Sequence, residues 1–226
     1  MYDTNTLGVG DEGGAVTQCT FDEATGKLTI GKRDEMLGGE VKGIAFIHTK
    51  KPKVIAVGDG QQYYAKCLNN MGMAHGDIYG PQASLSCVAV NFTEKYSETI
   101  KLFMGSDNGQ IFINVSEGGK QFDKPSRLIH TVAGGFITQM VFDDAGNKLY
   151  VTGSDKSIHI FNGDDGEKIA SLADSHSKTI YDVNLFPAGS EALLATCSGD
   201  NTMKLWKANS DGTGLECTGT GTLGDG

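Results

Sequence analysis

His176, Thr196 and Asp200 place an imidazole, a hydroxyl and a carboxylate in one short segment. These are the residue types of a nucleophilic relay, in which a base takes the hydroxyl proton and a carboxylate orients the base. A relay needs its nucleophile exposed in a cleft, whereas Thr196 lies mid-strand in the apolar run Leu193-Leu194-Ala195-Thr196-Cys197. An imidazole, a hydroxyl and a carboxylate enclosed among apolar residues would instead satisfy one another as buried polar groups. The residues favour that structural reading.

Asp200 also belongs to a series. Asp107, Asp155 and Asp200 each sit in a Gly/Ser-rich cluster just ahead of a strand-like run, and Asp59 in Gly58-Asp59-Gly60 continues the spacing upstream. A repeated carboxylate invites comparison with an array of active or metal sites. Asx-type turns explain it as well. The pairs Asp143-Asp144 and Asp164-Asp165 lack the full ligand spacing of a calcium loop and read as hydrophilic turns. Gly219-Thr220-Gly221-Thr222-Leu223-Gly224 spells a dinucleotide fingerprint, but it opens no helical pattern. No cofactor and no metal are expected.

A net charge of −9 argues against nucleic acid or an anionic membrane as the main partner, since both demand a basic footprint. The longest apolar runs are strand-sized, so no membrane insertion is expected. The N-terminus shows no basic region followed by an apolar core, hence no secretory signal. Cys19, Cys67, Cys87, Cys197 and Cys217 show no CxxC pair or framework spacing, as expected of free thiols in a reducing cytoplasm.

The elements that must position these residues are strands. Thr179–Leu185 alternates as a half-buried strand, Phe186–Ser190 reads as a turn, and Leu193–Cys197 and Thr202–Trp206 follow as strands. The preceding period repeats the plan with 136–142, 148–152, 157–161 and an outer strand at 167–172. Weaker copies lie at 85–92, 99–104 and 110–115, and at 41–47, 53–57 and 63–68. Residues 1–39 differ: Tyr2-Asp3 reads as the end of a strand, and 15–21 with 27–30 as a hairpin. No stretch has the length and period of a helix. A period of about 40–50 residues with four strands each is the pattern of β-propeller blades.

These repeats resemble WD40 repeats, with His176, Thr196, Asp200 and Trp206 matching that family's structural tetrad. The expected fold is all-β: a WD40-type propeller with about four four-stranded antiparallel blades over 40–226, preceded by the end of another blade and an insertion in 1–39. Within the class, the chain is similar to the actin-interacting protein 1 family. The similarity lies in Gly39–Phe46, Val54–Gly60, Gly105–Asn108, Phe161–Lys168, His176–Tyr181 and Tyr2–Asn5, in matching order and spacing. It implies part of the first of two seven-bladed rings. Residues 7–38 depart from the family by roughly twenty extra residues. So do Gln61-Gln62-Tyr63-Tyr64 and the proline-free Glu117–Phe122 segment.

The resemblance implies a non-enzymatic, cytoplasmic regulator of the actin cytoskeleton that binds actin filaments decorated with cofilin (ADF) and promotes their disassembly. Positions matching the family's filament-acting residues are Asp107, Phe122 and Phe136. Each has a plainer alternative: Asp107 as the repeat's turn residue, Phe136 as core at the start of an inner strand, and Phe122 as either exposed or packed. Exposure is favoured for Phe122, which lies in a polar Gly/Lys loop. A general WD40 scaffold in another complex is the second reading, because function on this fold sits on surfaces.

Overall fold

Central strands that are apolar on both faces need cover on both sides, and that requirement organises the chain. The computed structural model describes residues 6–47, 53–69, 75–91, 99–117, 122, 124–143, 145, 147–188, 191–210 and 213–224. The expected strand end at Tyr2-Asp3 lies outside them. All regular elements among the described residues are strands, arranged in one three-stranded and four four-stranded antiparallel sheets. The chain divides into two compact units, Met1–Met104 with Phe112–Arg127, and Gly105–Ile111 with Leu128–Gly226.

The first unit opens with a meander of β1 (Thr6–Gly10), β2 (Ala15–Asp22) and β3 (Lys27–Glu35). A second sheet follows in the order β4 (Val41–Ile47), β5 (Lys53–Gly58), β6 (Ala65–Asn69) and β7 (His75–Asp77). The backbone of β1 comes close to β4: a methyl group on Gly10 would sit 2.5 Å from Val41 Cγ1, and one on Gly8 2.8 Å from the Phe46 ring. Only glycine allows that approach. The third sheet runs β11 (Arg127–Thr131), β10 (Gln110–Ser116), β9 (Ile100–Ser106), β8 (Leu85–Asn91). Its β9–β10 turn and most of β11 group with the second unit. Ile55, Val57, Leu85, Leu102, Met104 and Phe112 form the heart of the first unit's main core. Each such side chain contributes about 1.5–3 kcal/mol by leaving water.

The second unit contains two complete sheets. One is β12 (Ile137–Asp143), β13 (Lys148–Gly153), β14 (Ile158–Asn162) and β15 (Lys168–Leu172). The other is β16 (Ile180–Ala188), β17 (Glu191–Ser198), β18 (Thr202–Ala208) and β19 (Leu215–Thr222). They share a core of Tyr150, Ile158, Ile160, Ile180, Val183, Leu194 and Trp206. Burial pushes the Tyr150 phenol up to about 12.

The structure departs from the sequence reading at one turn and at the outer strands. The turn expected at 186–190 is shorter, because β16 continues through Pro187 to Ala188, paired with Ala192 and Glu191. Pro187 fits there because β16 is an edge strand, where a missing N–H removes no obligatory ladder bond. The outer strands β7, β11 and β19 were not anticipated. β11 and β19 are largely exposed and carry no alternating apolar pattern. The dinucleotide-like glycines Gly219 and Gly221 lie in β19, paired with Leu205 and Met203, so they cradle no phosphate at a helix start.

Candidate interaction surface

The four tetrad residues come together in the last sheet. His176 lies in the loop before β16, Thr196 on β17, Asp200 in the β17–β18 turn and Trp206 on β18. His176 Nδ1 is 3.1 Å from Asp200 Oδ2, His176 Nε2 is 2.8 Å from Thr196 Oγ1, and Trp206 Nε1–H donates to Thr196 Oγ1 at 2.9 Å. Burial lowers the affinity of His176 for a second proton, against the pull of Asp200, so the ring is neutral near pH 7. Its Nδ1–H donates to Asp200 and its Nε2 accepts the Thr196 hydroxyl proton, leaving the Thr196 oxygen to accept from the indole. Burial works to raise the Asp200 carboxyl. Hydrogen bonds from Thr202, the Ser177 amide and His176 outweigh it and hold the group well below the usual carboxylate range. Thr196 is 1% exposed, and its hydroxyl both donates and accepts within the network. A substrate has no access to it, so the network is structural.

The preceding sheet solves the same problem differently. His159 on β14 contacts Asp155 at 2.8 Å through Nε2 and Ser171 on β15 at 2.7 Å through Nδ1. Burial again opposes the Asp155 carboxyl, but hydrogen bonds from His159 and Ser157 win and lower it. His130 packs beside His159, with ring centroids 5.7 Å apart. Sequence reading missed this set. Asp155 and His159 are separated by a turn residue whose positive φ cannot be foreseen, and Ser171 lies on an outer strand with no signal at all.

The turns between the second and third strands reveal the register of the repeated aspartates. Gly109, Lys156 and Asn201 all have positive φ, at 80°, 67° and 62°. Their carbonyls accept from the amides of Val132, His176 and Leu223 respectively, so the three positions are equivalent. Asp155 and Asp200 stand one residue earlier, and each caps the amide two residues on, at 3.3 and 3.0 Å. In the β9–β10 turn that place belongs to Asn108, which reaches the Gln110 amide at 3.3 Å. Asp107 is therefore out of register with the other two. It matches Ser154 and Gly199, is exposed, and makes no side-chain hydrogen bond or ion pair among the described residues. Asp107 lies in the turn, but the capping side chain there is Asn108.

Phe122 and Phe136 exchange expected environments. Phe122 is 2% exposed and packs in the first unit's core, with the Lys53 ammonium 5.9 Å above its ring. The expectation of exposure fails because Asn114 anchors the returning chain, donating to the Lys124 carbonyl and the Ser126 hydroxyl at 3.0 Å each. Phe136 is 42% exposed, because its neighbour Ile137 takes the buried place. Its backbone is fixed in both directions, donating to Ser154 Oγ and accepting from the Ser154 amide, each at 3.0 Å. The chain leading to Phe136 runs along the Asp107 turn, where a methyl group on Gly109 would meet the Val132 and Gly135 carbonyl oxygens at 2.4 and 2.7 Å. The structure thus brings the Asp107 and Phe136 segments to one edge of the second unit, while Phe122 lies in the core of the first.

Residues 126–162 and 166–207 match the family described as WD domain, G-beta repeat. With blade-like sheets and the tetrad in place, the chain carries WD40 repeats on a fold of the β-propeller class. The Cps50 (Swd1) β-propeller domain of Myceliophteria thermophila shares the fold, with a TM-score of 0.71 over 97% of this chain and 68% of that one at 12% identity. The chain is 30% identical over 177 residues to WD repeat-containing protein 1 of Bos taurus, covering 76% of this chain and 27% of that protein. It is 23% identical over 176 residues to Actin-interacting protein 1 of Drosophila melanogaster, covering 77% and 27%. The chain spans about a quarter of the length of these curated relatives. No helix among the described residues is long and apolar enough to cross a membrane.

Proposed function

We propose that the chain acts by binding, as a non-catalytic regulator in the actin cytoskeleton that engages cofilin-decorated filaments and promotes their disassembly. The observation that carries this reading is the similarity, over three quarters of the chain, to WD repeat-containing protein 1 and to a relative named Actin-interacting protein 1. Two features support it. Asp107 presents an exposed carboxylate that makes no side-chain hydrogen bond or ion pair among the described residues, ready for a basic group of actin or cofilin. Phe136 is an exposed aromatic on a fixed backbone, the residue type that dominates binding hot spots. Phe122 acts indirectly, by packing the first unit rather than by touching a partner.

The mechanism is differential affinity. A surface that fits the cofilin-altered filament better than the bare one shifts filaments toward the altered, severable state. Co-sedimentation with actin filaments, with and without cofilin, tests the reading. The chain is expected in the pellet with decorated filaments, and Asp107→Asn combined with Phe136→Ala is expected to return it to the supernatant. Equal partitioning with and without cofilin refutes the proposal and favours a scaffold in another complex.

A further inference from the structure

The first strands of three sheets, β4, β12 and β16, share an irregularity at their second residue. Strand pairing slips between Val41 and Gly43, between Ile137 and Gln139, and between Ile180 and Asp182. Lys42, Thr138 and Tyr181 are the extra residues. A β-bulge re-aims one side chain out of the alternation, and such bulges cluster beside functional sites. Two of the three are used internally. Lys42 reaches Asp59 at 3.0 Å and Ser84 at 2.9 Å, and Thr138 donates to the Ile180 carbonyl at 2.6 Å. Tyr181 is turned outward, 62% exposed, the most exposed aromatic among the described residues.

Its ring nonetheless leans on the backbone. A methyl group on Gly199 would lie 3.1 Å from ring carbon Cε2 and 3.4 Å from the hydroxyl oxygen, so the ring rests against bare backbone. Beneath it Ile180 is fully buried, and the Gly199 amide donates to the Thr179 carbonyl at 3.0 Å. An aromatic restrained before binding forfeits little rotamer entropy on contact. Lys178 and Asp182, both exposed, lie three residues before it and one after it in sequence. Thr179 is the counterpart of Phe136, because each carbonyl accepts from the following turn, from Gly199 and Ser154 respectively. Tyr181 therefore occupies the same strand-start edge of the second unit as Phe136 and the Asp107 turn.

We infer that Tyr181 is a second aromatic anchor for the filament, extending the contact edge from Asp107 and Phe136 to the start of β16; this rests on the filament reading above. The test is co-sedimentation of the Tyr181→Thr variant with cofilin-decorated actin. It installs the residue that β12 carries at the same bulge, so the local backbone is kept. The variant should melt within a few degrees of wild type and lose about thirtyfold in affinity, the size of a hot-spot residue. Affinity within about twofold of wild type, the near-neutral effect of a rim residue, overturns the inference while leaving the filament reading intact. Failure of the wild-type chain itself to pellet removes that reading, and this inference with it.

Discussion

Replacing Thr196 by valine removes one oxygen atom from the tetrad and leaves the side-chain shape almost unchanged. Two buried groups then lose their partner: the Trp206 indole N–H, 2.9 Å from the lost oxygen, and the acceptor nitrogen of His176, at 2.8 Å. His176 is 1% exposed and Trp206 6%, so water does not replace the bonds. A buried donor or acceptor left unpaired costs about 1–3 kcal/mol. The two together set the expected loss at about 2–6 kcal/mol, with no cavity contribution. Trp206 is the single tryptophan of the chain, so its fluorescence during urea unfolding reports on the site directly. Thr196→Ser, which keeps the hydroxyl, should lose only about 1 kcal/mol, the worth of the missing methyl. A Thr196→Val stability within about 1 kcal/mol of wild type would show that the network carries no weight.

Two further outcomes follow from the same reasoning. His176 has a native affinity for protons depressed below the ordinary value, so the unfolded chain takes up its proton first. The stability that this contributes is complete above about pH 6.5 and declines as pH falls through the native value. Burial depresses His130 likewise and adds in the same direction, and Asp200 contributes a later loss below about pH 4. Urea midpoints at pH 7.5, 6.0 and 5.0 should therefore fall in that order, and a midpoint that rises toward pH 5 refutes the assignment of a neutral, buried His176. Phe122→Ala should cost about 3–5 kcal/mol as a large core truncation, whereas Phe136→Ala should stay within about 1 kcal/mol. Thermal melts of the two variants check it, and the reverse order contradicts the environments described.

The sequence made the middle strands legible because they are the most apolar. β5, β9, β10, β13 and β14 are buried on both faces, and each was foreseen to within a few residues. The tetrad was legible because its residue types are unusual in an apolar run. Three outer strands, β7, β11 and β19, escaped because exposed residues carry no packing pattern, whereas β15 was legible at 167–172. The environments of Phe122 and Phe136 escaped for a different reason: each depends on contacts distant in sequence or on the neighbour that wins the buried place. Asn114 folding the chain back over the sheet, and Ile137 displacing Phe136, leave no local trace. The bulge at Tyr181 is equally silent, since a slip in pairing is a property of two strands and not of one.

The offset between Asp107 and its two apparent counterparts bears on any attempt to average these repeats into an idealised blade. Anchoring such a consensus on the three aspartates slides the β9–β10 hairpin by one position. In a strand with a two-residue repeat, one position is a full inversion of faces. β10 is apolar on both sides, with Ile111, Phe112 and Ile113 all buried, so a hydrophobicity profile would not flag the error. The anchors to superpose are the left-handed residues Gly109, Lys156 and Asn201. Backbone handedness, rather than side-chain identity, is what these repeats hold in common.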